Sequence, residues 1–256
     1  MVRLAQIPRP FVVGVVVERN AAAARRAAAA AFRDGAAAAE LNLASLPDAE
    51  QPTRTLFAAL RGPVYTSCRR AHFMRVYGTR FSRVGVRADD RRMELQWDAL
   101  TKGSAGLDLE ADTFACNADE WTRDRGALRQ QAATVARCRQ RRGAVIYSWH
   151  PPRKLDWAEA VRSLRTLRDR GADFVKVVER VRNVAEALDS VRLSLRLEAE
   201  LDFPFVFLPL GPGAERVRPF MTAFGAAYLL ARPPVGSNRL GAQPLVARAR
   251  DLVKFP

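Results

Sequence analysis

Short apolar runs alternate with longer helical stretches along this chain, and this alternation constrains the fold more than any other feature. Runs rich in Val, Ile, Leu and Phe are typical of parallel strands that are buried on both faces. Most of them are followed by a stretch of good helix formers, which is the pattern of βα units. The apolar runs cover residues 11–17, 37–43, 63–69, 105–111, 144–150, 174–178, 203–210 and 226–231.

Eight apolar runs, most of them followed by a helix, in a chain of 256 residues predict an α/β fold, a single (β/α)8 TIM barrel, in preference to an open doubly wound sheet. We interpret residues 1–256 as one domain and residues 1–10 as an N-terminal extension of it. The segment from 70 to 87 gives no readable pattern. Helices are predicted at 20–34, 53–60, 91–100, 125–141, 156–170, 184–201 and 244–253.

The formal net charge of +15 suits an anionic partner. The basic residues are mostly arginines spread along the chain, without an aromatic-basic platform or a helix-turn-helix pattern. We therefore expect a small anionic substrate and no specific nucleic-acid partner. The three cysteines show no CxxC spacing and there are two histidines, so we expect reduced thiols and no structural zinc site.

No apolar run approaches the ~20 residues of a membrane span, and the run at 11–17 is too short for a convincing signal peptide. We therefore expect a cytoplasmic protein with no membrane partner. A homodimer is compatible with the sequence, which does not decide the oligomeric state.

Lys176 stands out because it lies within the apolar run Phe-Val-Lys-Val-Val, and the chain has only four lysines. Burial disfavours an ammonium group, so we expect the pKa of Lys176 to fall. A neutral amine can attack a ketone and form an imine. The structural alternative is a lysine that is paired with a carboxylate.

Further polar side chains lie within or directly after the apolar runs, where barrel enzymes place catalytic residues. His150 ends the fifth run and could transfer protons near neutral pH. Asp108 and Glu110 in the fourth run lie on one face of a strand, and a carboxylate beside His150 could fix its tautomer. For Asp108, a layer of salt bridges inside the barrel is a serious alternative. Glu40 is a further carboxylate in an apolar run.

Together these elements resemble the type I 3-dehydroquinate dehydratases, a family of barrel enzymes. The resemblance runs in order from about residue 11 to residue 253, and its most specific parts are Ser-Trp-His150 and Gly-Ala-Asp-Phe-Val-Lys176. The other matching residues are Glu40, Arg69, Asp108, Glu110, Arg218 and Gln243.

The resemblance implies dehydration of 3-dehydroquinate to 3-dehydroshikimate in the shikimate pathway. Lys176 would form the imine, His150 would be the general acid–base group and Glu110 would orient His150. Arg218 would bind the substrate carboxylate. Substrate contacts would come from Glu40, Arg69, Asp108 and Gln243, and no metal or organic cofactor would be needed.

The sequence departs from the family at Asn42, where the family has an arginine that helps to hold substrate, and in the loops after the third and eighth runs. These departures favour one alternative, a catalytically impaired or repurposed member that binds a related keto acid or a partner. A class I aldolase-like barrel that acts on another keto acid is a second alternative. It would need Lys176 but not the pair of His150 and Glu110.

Overall fold

A computed structural model describes residues 3–47, 50–82, 88–238 and 242–253 of the chain. The first two residues of the N-terminal extension, and residues 239–241 of the loop after the last strand, lie outside these ranges. The described residues form eight parallel strands that alternate with helices, as the sequence predicts. The strands are β1 (Phe11–Val16), β2 (Ala38–Asn42), β3 (Val64–Ser67), β4 (Gly106–Glu110), β5 (Ala144–Trp149), β6 (Phe174–Arg180), β7 (Phe205–Leu210) and β8 (Tyr228–Ala231).

The strands pair in the order β7-β6-β5-β4-β3-β2-β1-β8, so that neighbours in the chain are neighbours in the sheet. The sheet is nearly closed into a barrel. The backbone N–H of Ala227, just before β8, donates a hydrogen bond to the carbonyl of Phe205 in β7 at 2.7 Å. All eight strands therefore point their carboxyl ends toward one face of the molecule, which is where barrel enzymes carry their active sites.

Helices pack around the strands, and the structure contains each of the seven helices that the sequence predicts, with ends shifted by a few residues. It adds a helix in the segment that the sequence leaves unread, α3, and the short α8. The helices are α1 (Ala21–Arg33), α2 (Arg54–Ala58), α3 (Arg70–Ser82), α4 (Ala88–Lys102), α5 (Arg125–Gln140), α6 (Trp157–Asp169), α7 (Val184–Glu200), α8 (Ala214–Val217) and α9 (Val246–Leu252).

Several of these helices begin with an Asn or Asp residue at the N-cap position. Asn20, Asp124, Asp156 and Asn183 each accept a hydrogen bond from a backbone N–H in the first turn of the helix that follows. None of the described helices is both long and apolar enough to cross a membrane.

The N-terminal extension takes part in the core of the barrel. Residues Leu4–Gln6 form a 3-10 helix, and the Leu4 side chain is buried in one cluster with Phe11, Phe174 and Tyr228. The rings of Phe174 and Tyr228 lie with their centroids 5.7 Å apart, in an edge-to-face arrangement. The interior of the barrel is thus packed with side chains, and space for a ligand remains at the carboxyl ends of the strands.

Candidate active site

A cavity of about 370 Å³ opens among the carboxyl ends of the strands. It brings together all eight side chains that the sequence singles out, although they come from positions spread over 200 residues. They are Glu40, Arg69, Asp108, Glu110, His150, Lys176, Arg218 and Gln243. The strand order explains this convergence, because the eight residues lie within or after the seven strands from β2 to β8, with Asp108 and Glu110 both on β4.

Lys176 is buried at the floor of this cavity, with 5% of its surface exposed, and its Nζ contacts the Oδ2 of Asp108. The other carboxylate oxygen of Asp108 accepts a hydrogen bond from the Ser148 hydroxyl. Strand register accounts for this group. Ser148 lies on β5, between the strand β4 that carries Asp108 and the strand β6 that carries Lys176, and it is the register partner of Lys176.

The ion pair corrects one expectation from the sequence. Burial alone lowers the pKa of Lys176, but the nearby carboxylates of Asp108 and Glu40 outweigh burial, and the pKa of the amine is raised. The resting lysine is therefore an ammonium ion. Both oxygens of Asp108 have partners in Lys176 and Ser148, which matches the alternative of a salt bridge inside the barrel that the sequence leaves open for Asp108.

Glu40 lies on β2 and is buried, and its Oε2 accepts a hydrogen bond from the Tyr65 hydroxyl of the neighbouring strand at 2.8 Å. Burial and the Glu40 carboxylate raise the pKa of Tyr65, which keeps the phenol protonated as the donor. Glu40 thereby places a second negative charge near the Lys176 ammonium group.

His150 follows β5 and lines the cavity beside several cations. Burial, together with the positive charges of Arg69, Lys176 and Arg218, lowers the pKa of His150 well below its usual value of 6.5. The imidazole is therefore neutral at physiological pH, and a neutral imidazole can accept a proton.

The expected contact between Glu110 and His150 is absent among the described residues. One oxygen of Glu110 accepts a hydrogen bond from Arg69 at 3.1 Å, while the other accepts from the backbone N–H of Arg70 at 2.8 Å and from the guanidinium of Arg92. These donors outcompete an imidazole for the carboxylate because they are charged or preorganised. The prediction that Glu110 orients His150 is thus not supported by this geometry.

Glu110 belongs instead to a buried network of charges behind the cavity. Arg92 of α4 is 1% exposed and bridges Glu110, Asp89 and the carbonyl of Cys68. Arg70 pairs with Asp89 at 2.8 Å and with Asp112 at 2.6 Å.

The positive charges of Arg92, Arg69 and Arg70 lower the pKa of Glu110 despite its burial, so it stays ionised. The network fixes Arg69 at the rim of the cavity, where Glu120 also binds it at 3.0 Å.

Arg218 differs from these arginines. It is 7% exposed, it lines the cavity, and no carboxylate among the described residues pairs with it. Burial lowers its pKa to about 10, which still leaves the guanidinium charged at neutral pH. A buried cation without a counter-ion is costly, so this position favours an incoming anion.

Gln243 is held by a side chain that the sequence does not single out. Asn238 donates through its amide to the Oε1 of Gln243 at 3.0 Å, and also to the backbone carbonyl of Val15 in β1 at 2.9 Å. Glu18 accepts hydrogen bonds from the backbone N–H and the hydroxyl of Ser237. The loop after β8 is thus tied to β1, and Gln243 is positioned over the cavity.

Supporting roles for Tyr65, Ser148 and Arg92 are not predicted from the sequence, although Ser148 belongs to the Ser-Trp-His150 motif. Ser148 and Tyr65 each lie within an apolar run at the same alternation as a candidate residue, which is a usable signal. Arg92 carries no such signal, because it is one of many arginines on a helix with polar neighbours.

Several solved structures resemble this chain. The 3-dehydroquinate dehydratase from Geobacillus kaustophilus HTA426 is 15% identical, with a TM-score of 0.73 over 99% of this chain and 95% of the other. The type I enzyme from Clostridium difficile, solved with covalently modified comenic acid, gives the same identity and TM-score over 99% and 96%. The enzyme from Enterococcus faecalis is 15% identical, with a TM-score of 0.72 over 99% and 98%.

This chain has the fold of the 3-dehydroquinate dehydratases. At 15% identity the likeness extends to the fold. No protein-family model matches the chain, and no curated protein does.

Proposed function

We propose that this protein is a lyase of the 3-dehydroquinate dehydratase type, which forms an imine between Lys176 and the ketone of its substrate. The observation that carries the proposal is the convergence in one cavity of a buried lysine, a neutral histidine and an arginine that no described carboxylate pairs with. Such a set can bind a carboxylate, attack a ketone and move a proton. The named relatives support the choice of reaction, because their fold spans the whole of this chain.

In the first step, Lys176 must lose a proton before it can attack. Asp108 contacts the ammonium group, and burial together with the nearby Glu40 raises the pKa of Asp108. Asp108 is therefore placed to take that proton as the amine adds to the C3 ketone. Asp108 then returns this proton to the hydroxyl of the carbinolamine adduct, which leaves as water. The product is a protonated imine, and the regenerated carboxylate of Asp108 balances its charge.

In the second step, the imine acidifies the neighbouring C2–H, since the electron pair can delocalise as an enamine. The neutral imidazole of His150 accepts this proton. The resulting imidazolium then donates its proton to the C1 hydroxyl, which leaves as water while the enamine electrons form the new C=C bond. Hydrolysis of the conjugated imine releases 3-dehydroshikimate and restores Lys176. General acid–base help of this kind contributes about 10²–10⁴-fold.

Arg218 supplies the site for the substrate carboxylate. It is the one cavity arginine that lacks a carboxylate partner among the described residues, and a planar guanidinium binds a carboxylate through two hydrogen bonds. Arg69 and Gln243 lie at the rim, where they can contact substrate hydroxyls. Asp108 changes role in this proposal, from a substrate contact to the partner of Lys176.

One observation favours a second candidate function, a catalytically impaired or repurposed protein that binds a related keto acid. His150 has no carboxylate partner among the described residues, because Glu110 is held by three other donors. Without such a partner the imidazolium that forms during turnover is less stabilised. The same cavity could then bind a keto acid with little turnover.

A turnover assay with 3-dehydroquinate separates the two candidates. We expect absorbance of the conjugated product to appear with the wild-type protein and to disappear with Lys176→Ala. Lys154→Ala is the matched control, because Lys154 lies outside the cavity and pairs with Asp189. Folded wild-type protein that binds 3-dehydroquinate without forming product would support the second candidate instead.

A further inference from the structure

A basic groove lies beside the catalytic cavity, at the carboxyl ends of β6 and β7. Its volume is about 850 Å³, and Leu210, the last residue of β7, lines both the groove and the catalytic cavity. The groove has one acidic side chain, that of Glu186, and four basic ones, those of Arg153, Lys154, Arg180 and Arg182. It therefore carries an excess of positive charge.

Three of the four basic side chains are paired with carboxylates. The pairs are Arg153–Glu159 at 2.7 Å, Lys154–Asp189 at 3.1 Å and Arg182–Glu186 at 2.5 Å. Arg180 has no carboxylate partner among the described residues. An incoming anion can therefore bind to Arg180 without displacing a carboxylate of the protein.

Arg180 lies on the same face of β6 as the catalytic lysine. Side chains alternate along a strand, so Lys176, Val178 and Arg180 share one face. Lys176 and Val178 line the catalytic cavity, and Arg180 follows them as an exposed residue at its rim. The register pairs Arg180 with Leu210, which borders both spaces. An anion bound to Arg180 would thus lie next to the catalytic cavity.

The charges around His150 leave room for two anions. Burial and four nearby positive charges lower the pKa of His150, and two of these charges belong to Arg218 and Arg180. The other two belong to Arg69 and Lys176, which are paired with carboxylates. Arg218 lacks such a partner among the described residues, as Arg180 does. A carboxylate on Arg218 therefore balances only one of two uncompensated charges.

A phosphate group matches the chemistry of the groove. The planar guanidinium of an arginine donates parallel hydrogen bonds to two oxygens of an oxyanion. A concave surface with several cations also concentrates the attraction for an anion. Because Coulomb attraction grows with charge, a phosphate dianion gains more from this field than chloride does.

We propose that Arg180 is the centre of a phosphate-binding site beside the catalytic cavity. The phosphate is either a free ion or one end of a molecule whose carboxylate binds Arg218. This site is independent of the proposed reaction, because phosphate binding requires neither an imine nor turnover.

Calorimetry with inorganic phosphate, at an ionic strength held constant with sodium chloride, tests the site. The wild-type protein should bind phosphate saturably, and Arg180→Met should weaken this binding by about 10–100-fold, the range for a lost charge-assisted hydrogen bond.

Arg182→Met is the matched control. Arg182 lies in the same groove, its side chain is 87% exposed, and Glu186 already balances its charge. This variant loses the same formal charge as Arg180→Met and should keep phosphate affinity within about threefold. Both substitutions change exposed side chains, and circular dichroism confirms that the variants are folded.

A second ligand distinguishes the two sources of phosphate. 3-Phosphoglycerate carries a phosphate and a carboxylate on one small molecule. If the phosphate belongs to a larger ligand, 3-phosphoglycerate should bind more tightly than inorganic phosphate and should lose this advantage in Arg218→Met. If the site binds the free ion, 3-phosphoglycerate should bind no more tightly than phosphate does, and Arg218→Met should leave phosphate affinity unchanged.

Two results would overturn the site. One is the absence of saturable phosphate binding by folded wild-type protein at constant ionic strength. The other is an equal loss in Arg180→Met and Arg182→Met, which would mean that binding follows net charge alone. Phosphate binding through Arg180 in a protein that fails to dehydrate 3-dehydroquinate would overturn the proposed reaction and leave the site standing.

Discussion

At the scale of single residues, the state of Lys176 depends on neighbours that the sequence does not place. An apolar run around a lysine predicts a lowered pKa from burial, but Asp108, two strands away, reverses the direction. The contact that sets the direction of this pKa shift joins two side chains that are 68 residues apart in the chain. A sequence pattern can thus identify the buried lysine and still give the wrong protonation state for it.

The pH dependence of the reaction tests the state of His150. Burial and nearby cations lower its pKa well below 6.5, and the base form is the one that accepts the C2 proton. We therefore expect kcat/KM to stay level as the pH falls from 8 to 6.5 and to decline only at lower pH, once the imidazole becomes protonated. His150→Gln should lower kcat by about 10²–10⁴-fold. A midpoint at or above 6.5 in the wild-type profile would contradict the structure.

At the scale of elements, the strands are far easier to predict than the connections on the active-site face. Continuous apolar runs identify all eight strands to within three residues at either end. The helix α3 escapes prediction because arginines and aromatic residues alternate along it without a clear apolar stripe. The arginine network could not be predicted from the sequence either, since its members come from the start of α3, from α4 and from the loop after β4.

The network predicts that Arg92 contributes far more to stability than an arginine in a surface ion pair. Arg92→Met should destabilise the protein by about 3–5 kcal/mol, because Glu110 and Asp89 would lose a buried counter-charge. Arg165→Met is the control, and we expect about 1 kcal/mol or less, because its pair with Glu200 is exposed. Urea unfolding monitored by circular dichroism measures both changes. Similar losses in the two variants would mean that the network carries no special stability.

At the scale of the whole molecule, the barrel collects single residues from most of its strands into one cavity, and this explains why sequence order alone could predict the set. The predicted fold class, and the meeting of eight candidate residues in one place, both follow from parallel strands with a common direction. The pairing within that set does not follow, because it depends on register and side-chain reach. Glu110 shows this most clearly, since it lies at the site but contacts arginines in place of His150.

The net charge of +15 has a consequence at this scale. A strongly positive molecule attracts a carboxylate substrate at long range, and added salt screens this attraction over ~10 Å at 0.1 M. We expect kcat/KM for 3-dehydroquinate to fall by up to about tenfold as sodium chloride rises from low to high concentration. Because kcat at saturating substrate does not depend on encounter, it should stay constant and serves as the control. A kcat/KM that does not change with salt would exclude electrostatic steering.

Imine formation at Lys176 is the central claim, and borohydride reduction tests it most directly. Wild-type protein is mixed with 3-dehydroquinate, reduced, digested and analysed by mass spectrometry, with Lys176→Ala and Lys154→Ala treated in the same way. We predict one modification, on the peptide that contains Lys176, in the wild-type and Lys154→Ala samples. The Lys176→Ala sample should contain no modified peptide. An unmodified Lys176 in folded wild-type protein exposed to substrate would contradict the proposed chemistry.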